Sequence, residues 1–325
     1  MARAMAPTIL AAAAVAALVL GAGAPAAAQS WPGGPIRLIV PFAPGSTTDS
    51  VGRVMAAPLS ASLGVPVVVD NRPGAGANLG AEIAARAQPD GQTLMLANIA
   101  HATSASLYDK LNYDFVRDFA PITQLGSGAY FLVVHPSLPV KSLNDLVTLA
   151  RPRPTSLNIG SAGAGSYLWV ELLQSLTATK MTHVVYKGTP QVAGAVLSGE
   201  ISAGAVATVV ALPQVKAGRL RGIAVSSTQR SVMAPDTATV GEAGFPGLEA
   251  NVWYGLLAPA ATPRDTVNRL HAEAVGALKL PDVRARFDNM DVRPIGSTPD
   301  AFGAFIRQDI ARWAKIVRQS GAKAE

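Results

Sequence analysis

The chain has 325 residues, 49% hydrophobic and 15% charged, and its 27 Lys and Arg against 21 Asp and Glu give a net charge of +6. It is too apolar for a disordered protein and long enough for two domains. The absence of cysteine excludes disulfides, thiolate metal sites, a cysteine nucleophile and a lipid anchor on cysteine. The basic residues are scattered, so no nucleic-acid surface is predicted, whereas a mildly positive field suits a small anionic ligand.

The first 28 residues have the pattern of a cleaved secretory signal peptide. Arg3 precedes the apolar run Ile9–Leu20, and Ala26–Ala28 offers an A-x-A cleavage site. The run has 12 residues, fewer than the roughly 20 that a membrane-spanning helix needs. We therefore predict a signal peptide at residues 1–28, cleavage after Ala28, and a soluble protein secreted to the periplasm.

The next segment alternates apolar strands with helical patterns. Strands are predicted at 36–42, 66–71 and 93–98, with helices at about 49–63, where Pro58 could introduce a kink, and 79–87. Continuous apolar strands separated by helices are typical of buried parallel sheets. This βαβαβ order predicts an α/β fold.

A second α/β unit is predicted from Tyr130 onward, and two helices close the chain after Thr262 and Thr298. The extended apolar segments YFLVVH and NVWYGLLAP are where a hinged chain would pass between two lobes. We predict one lobe from residues 31–127 with 251–325, and a second lobe from residues 128–250.

Four segments share one design, an apolar strand followed by a Gly/Ser/Thr-rich turn and a helix, at 41–50, 71–80, 158–167 and 186–191. A helix N-terminus carries unpaired N–H groups and partial positive charge, and glycine lets the backbone approach a ligand. Two such turns lie in each predicted lobe, which predicts an anion clamp that needs no arginine. The alternative is ordinary βα turns with Ser and Thr as helix caps.

Other kinds of site are less well supported. Gly80 follows Gly74 and Gly76 one position too late for a dinucleotide fingerprint, and G-K-S/T, G-x-S-x-G and H-E-x-x-H are absent. The four histidines are far apart in sequence and unaccompanied, so each is expected to stand alone, and His101 is the best candidate for a site role because it follows a strand end. Asp49 could favour the helix dipole, hold its turn or accept hydrogen bonds from a ligand.

Seven motifs, in order across residues 31–321, together resemble the Bug family of extracytoplasmic receptors of tripartite tricarboxylate transporters. They are PFAPGSTTDSVGR, VVVDNRPGAGANLGAEIAARAQPDGQTLMLAN, NIGSAGAGS, VVYKGTPQ, KAGRLRGIAVSSTQRS, VGEAGFPG and WYGLLAPAATP. Compared with the family's usual turns, Ser46 and Ala77 each replace a glycine.

The resemblance implies a type II periplasmic-binding-protein fold, with two α/β lobes, two crossover segments and a ligand cleft between the lobes. It implies a small organic carboxylate held by the turns at 43–49 and 75–78, with ordered waters linking it to both lobes. It also implies membrane transporter subunits as partners. We expect a monomer without catalytic residues, metal or cofactor.

The turns and the resemblance together predict a single set of ligand-contacting residues. They are Phe42, Ala43, Gly45, Ser46, Thr47, Thr48, Asp49, Ala75, Gly76, Ala77, Asn78, His101, Ser161, Gly163, Ala164, Gly165, Ser166, Tyr186 and Thr189.

Two other functions remain open from the sequence. The same trap could present its ligand to a signalling protein rather than to a transporter. A secreted hydrolase is a third possibility, which the absence of nucleophile motifs disfavours.

Overall fold

The structure is a computed structural model that describes residues 31–320, so the predicted signal peptide and its cleavage site lie outside the described residues. The strands are β1 (Ile36–Val40), β2 (Val67–Asn71), β3 (Thr93–Asn98), β4 (Phe119–Val134), β5 (Asn158–Ala162), β6 (Thr182–Tyr186), β7 (Ala203–Ala207), β8 (Arg221–Val225), β9 (Asn251–Pro259) and β10 (Arg293–Pro294). The helices are α1 (Thr47–Leu63), α2 (Asn78–Ala85), α3 (Ile99–Leu107), α4 (Leu143–Ala150), α5 (Ala164–Thr177), α6 (Thr189–Leu197), α7 (Thr208–Lys216), α8 (Arg264–Ala277), α9 (Pro281–Asn289) and α10 (Pro299–Ser320). Short 3₁₀ turns occupy Ala75–Ala77 and Pro246–Leu248.

The strands pair in the order β2-β1-β3-β9-β4-β7-β5-β6, and β8 and β10 add to β4. Strands β2, β1 and β3 are parallel, as are β7, β5 and β6, whereas β9 is antiparallel to both β3 and β4. The predicted α/β fold with parallel βαβ units is therefore confirmed.

Strand β4 is longer than the sequence predicted and changes partners along its length. It pairs with β9 over Phe119–Ala129 and with β7 and β8 over Tyr130–Val134. The sequence prediction began only at Tyr130, because Pro121, Gly126 and Gly128 weaken the strand signal upstream. The segments predicted to cross between lobes lie in β4 and β9, and the lobe boundaries stay a prediction.

One helix prediction agrees with the structure and one differs. Pro58 lies inside α1, which continues to Leu63 as predicted. Among the described residues three helices follow β9, whereas the sequence predicted two and missed α9. Only Val283 and Phe287 of α9 are buried, so its apolar period is too sparse to detect, although Pro281 at its first position is a helix-start signal.

The core is built on large aromatic side chains that are fully buried. Trp169, Trp253, Trp313 and Phe302 are each 0% exposed. A Cβ atom on Gly255 of β9 would collide with the Phe302 ring, so this glycine lets α10 pack closely on the sheet. No helix among the described residues combines the length and apolar content that a membrane crossing requires.

Candidate functional site

The first turn is built around the carboxylate of Asp49. Ser46 caps α1 by accepting the Asp49 amide at 3.2 Å, and the Asp49 carboxylate accepts the Gly45 amide at 2.9 Å. Asn71 and Arg53 donate to the same carboxylate at 2.9 and 3.0 Å. These bonds occupy Asp49 within the protein, which supports its role in holding the turn.

The pKa of Asp49 reflects this hydrogen bonding. Burial alone would raise the pKa, but the hydrogen bonds from Arg53, Gly45 and Asn71 outweigh it and hold the pKa below its ordinary value. The carboxylate is therefore charged at neutral pH. It fixes the turn that begins α1, whose first amides, those of Thr47 and Thr48, have no intrahelical acceptor and can bind an anion.

The second turn has a rare backbone conformation. Four successive residues have positive φ angles, at +140° for Gly74, +48° for Ala75, +63° for Gly76 and +80° for Ala77. Such φ angles cost a non-glycine residue on the order of 1–2 kcal/mol and persist only where neighbours enforce them, commonly at functional sites. Two of the four residues here are alanines, so the surrounding contacts must hold this turn.

Contacts to Asn78 and Gly76 hold the second turn. Asn78 donates to the Ala75 carbonyl at 2.8 Å and accepts the Tyr113 hydroxyl at 2.7 Å, so the protein itself uses its side chain. The Tyr108 hydroxyl lies where a Cβ atom of Gly76 would be, which explains the glycine at that position.

His101 lies behind the second turn and is fully buried. Its Nδ1 is 3.2 Å from the amide nitrogen of Asn98, the N-cap of α3, so Nδ1 accepts that N–H. The ring stacks on Phe115, with centroids 5.5 Å apart, and meets Phe42 edge-on at 6.0 Å. Burial lowers its pKa to about 4, so the ring is neutral at neutral pH. It contributes to the two turns by packing. Its contact with a ligand stays a prediction.

The first and second turns lie close together. Asn98 donates to the Thr48 hydroxyl at 3.0 Å, and Asn71 donates to both the Phe42 carbonyl, at 3.0 Å, and Asp49. The Ala77 backbone lies near the ring of His101, which follows Asn98 in the same helix start. The start of α3 is therefore next to both turns, and the clamp itself stays a prediction.

The third turn is closed by Ser166. Its hydroxyl donates to the Ala162 carbonyl at 2.7 Å and accepts the Ala162 amide at 2.9 Å. Gly163 has φ +78° and ψ +160°, a conformation that is essentially restricted to glycine. The chain then enters α5 with Ala164 and Gly165, whose amides lie at the helix N-terminus.

Ser161 does not face an open cleft in this structure. It is 0% exposed, and its hydroxyl is 2.7 Å from Nε2 of His183, whose Nδ1 is 2.6 Å from a carboxylate oxygen of Glu171. The expectation that each histidine stands alone is therefore wrong for His183. The three side chains have the order of a hydrolase triad, but a buried serine within a strand offers a substrate no access, so we assign the network to anchoring α5 on β5 and β6.

The fourth turn lies beside the third, because Ala162 pairs with Tyr186 in the sheet. The Tyr186 hydroxyl donates to Glu200 at 3.0 Å, and Thr189 is the first residue of α6. A groove of about 480 Å³ at this edge is lined by Tyr186, Lys187 and Gln191, among others.

Sequence reasoning missed two tyrosines on the strands that link these turns. The Tyr254 hydroxyl lies near the Thr47 side chain in the first turn, and the Tyr130 hydroxyl lies against Gly165 at the start of α5. Tyr130 and Tyr254 are 9% and 5% exposed. A tyrosine within an otherwise apolar strand was the available signal, since a buried phenol hydroxyl needs a polar partner.

A separate cavity of about 140 Å³ lies beside β4, away from the four turns. It is lined by residues 127–129, 227–232, 251, 288 and 291–293. Among the described residues, no group of His, Cys, Asp and Glu could hold a metal ion.

Comparison with known proteins identifies the class and then the family. The structure has the fold of the periplasmic binding proteins. The chain belongs to the tripartite tricarboxylate transporter receptor family, whose model, described as "Tripartite tricarboxylate transporter family receptor", matches residues 51–322. This family of substrate-binding receptors, rather than enzymes, is the one that the motifs predicted.

Relatives agree over nearly the whole chain. Protein BugT of Bordetella pertussis is 34% identical over 307 residues, covering 93% of this chain and 94% of BugT. A Rhodopseudomonas palustris protein solved with adipate superposes with a TM-score of 0.82 at 31% identity, covering 90% of this chain and 99% of that protein. MatC from the same organism, solved with bound malate, gives 0.79 at 31% identity, covering 88% and 100%.

Proposed function

We propose that this protein is a periplasmic receptor that captures a small organic carboxylate and delivers it to membrane transporter subunits of the tripartite tricarboxylate type. The observation that carries the proposal is the pair of neighbouring turns at Ser46–Asp49 and Ala75–Asn78. Asn71 and Asn98 are hydrogen-bonded to the first turn, and His101 lies near the second. Backbone amides fixed in this way can bind an anion with little reorganisation.

The solved relatives support this ligand class, since one carries adipate and another malate. The predicted lobe 128–250 would bring the turns at Gly163–Ser166 and Tyr186–Thr189 against the ligand and close by a hinge motion. A buried carboxylate must be fully hydrogen-bonded, because an unpaired buried charge costs several kcal/mol. Donors from both lobes would meet that requirement, and ordered waters would complete it.

A thermal-shift screen of the mature protein against a carboxylate library tests the proposal. A ligand that binds only the native state raises the melting temperature, by an amount that grows with its concentration relative to Kd. We expect at least one carboxylate to do so and the corresponding amides not to. A screen in which no carboxylate stabilises the protein contradicts the proposed function.

Thr47→Val should weaken binding of the identified carboxylate by about ten- to a hundredfold, because the lost hydroxyl removes a hydrogen bond to a charged group worth roughly 1.5–3 kcal/mol. The substitution keeps the side-chain volume. Calorimetry measures the change in Kd. Thr182→Val on the edge strand β6 is the matched control, since Thr182 is exposed and far from the first turn in the sheet. Equal affinities in the two variants would place the carboxylate elsewhere.

A further inference from the structure

Two tyrosine side chains lie near the starts of α1 and α5. Tyr254 lies on β9, where it pairs with Asn98 of β3, and its hydroxyl lies near the Thr47 side chain. Tyr130 is the first residue of the β4 segment that pairs with β7, and its hydroxyl lies against Gly165. The two phenols are close enough for Tyr254 to raise the pKa of Tyr130. One phenol therefore lies near the first turn and the other near the third.

The packing around Tyr130 fixes the position of its hydroxyl. Its ring lies 5.9 Å from the fully buried Trp169, centroid to centroid. Its amide donates to the Ser226 hydroxyl at 2.8 Å, and Ser226 donates in turn to the Ala250 carbonyl at 2.6 Å. A Cβ atom on Gly165 would collide with the hydroxyl, so glycine is needed for α5 to approach it. A phenol whose position is fixed by these contacts is a preorganised hydrogen-bonding group.

The chemistry of the pair favours an uncharged oxygen atom. Burial raises the pKa of both phenols, so both stay protonated and can donate hydrogen bonds. The buried carboxyl group of Asp309 also acts on Tyr130 and further raises its pKa. A second ligand carboxylate at this point would be buried beside that carboxyl group, which costs several kcal/mol. A hydroxyl or carbonyl oxygen carries no such cost.

We propose that Tyr130 and Tyr254 contact the ligand directly and select carboxylates that carry a hydroxyl or carbonyl oxygen near the carboxylate bound by the turns. This inference rests on the proposed function, because it assumes that a carboxylate occupies the first and second turns. Ligand specificity then lies in β4 and β9, which carry the two tyrosines, rather than in the turns themselves. A site with hydrogen-bonding groups rejects an analogue that lacks the partner oxygen, because its own groups then stay unpaired.

Malate and succinate test the proposal, since the two dicarboxylates differ by one hydroxyl. Calorimetry on the mature protein should show tighter binding of malate by about tenfold or more. Tyr254→Phe and Tyr130→Phe should each weaken malate binding by about ten- to a hundredfold and change succinate binding by less than about threefold. The ratio of the two Kd values is the decisive measurement, because a purely structural loss would weaken both ligands alike.

Tyr167→Phe is the matched control. Tyr167 lies on α5, but its ring stacks on His183 with centroids 5.0 Å apart, on the side of the helix that holds the His183–Glu171 pair. It should leave the malate-to-succinate ratio unchanged. A wild-type protein that binds the two acids equally, or Tyr→Phe variants that keep the wild-type ratio, would overturn this inference and leave the proposed function intact. Failure of every carboxylate to bind would instead reject the proposed function.

Discussion

Asp49→Ala is expected to destabilise the protein by about 2–4 kcal/mol and to lower carboxylate affinity more than a hundredfold. The reason is that the buried carboxylate accepts hydrogen bonds from Gly45, Arg53 and Asn71, and the substitution removes all three bonds. The turn that presents the Thr47 and Thr48 amides then loses its conformation. Urea unfolding measures the stability change, and calorimetry with the carboxylate from the screen measures the affinity.

Asp145→Ala is a matched control for Asp49→Ala. Ser142 caps α4, and Asp145 accepts the Lys141 amide at 2.9 Å, which is the same arrangement as Ser46, Asp49 and Gly45. Asp145 has no counterpart of the Asn71 bond and is exposed. We expect Asp145→Ala to cost less stability and to leave affinity unchanged. Similar losses in the two variants would mean that Asp49 acts only as a helix-capping residue.

The pH dependence of the Asp49→Ala effect provides a second test. The folded-state pKa of Asp49 lies below its ordinary value of 3.8, so the carboxylate stabilises the folded protein fully above that pH. Its contribution is lost as the pH falls through the folded-state pKa. The difference in unfolding free energy between the parent and Asp49→Ala should therefore be constant from neutral pH to about pH 5 and shrink below pH 4. A difference that grows on acidification contradicts the assignment.

Gly163→Ala is expected to destabilise the protein by about 1–3 kcal/mol and to weaken ligand binding about tenfold or more. A Cβ atom at Gly163 would meet nothing within 4 Å, so crowding is not the cause. The cause is the backbone, because φ +78° with ψ +160° is accessible in practice only to glycine. Alanine must move the entry into α5, and with it the Gly165 amide. Thermal unfolding and calorimetry measure the two effects.

Gly194→Ala separates backbone strain from the presence of a methyl group. Gly194 lies within α6, is exposed, and also has no atom within 4 Å of a Cβ position. Here φ is helical, so alanine should stabilise the protein by up to about 1 kcal/mol through its higher helix propensity. The two glycines should therefore give opposite signs for the same substitution. Matching signs would mean that the strain at Gly163 is absent in solution.

The sequence was sufficient for the parts of the site that depend on local order. Apolar strands followed by glycine-rich turns predicted the starts of α1, α2, α5 and α6, because turn and cap residues act over a few positions. The role of Asp49 stayed open because its partner Asn71 lies 22 residues away and reaches it only when β1 and β2 pair. The contact of Ser161 with His183, also 22 residues apart, depends on sheet formation for the same reason.

The second turn shows another limit of sequence reasoning. Ala75 and Ala77 carry positive φ angles although alanine disfavours them, so residue preference predicted an ordinary turn there. The conformation comes instead from Asn78, Tyr113 and Tyr108, which are brought together by packing. Tyr130 and Tyr254 were missed because a tyrosine in an apolar strand indicates that its hydroxyl needs a polar partner but does not indicate which partner it meets.

The unbroken course of β4 has a mechanical consequence. The strand keeps ladder partners on both sides of residue 130, with β9 before it and β7 and β8 after it. Relative movement of the two ends of the sheet must therefore bend or twist hydrogen-bonded strands rather than rotate about a flexible linker.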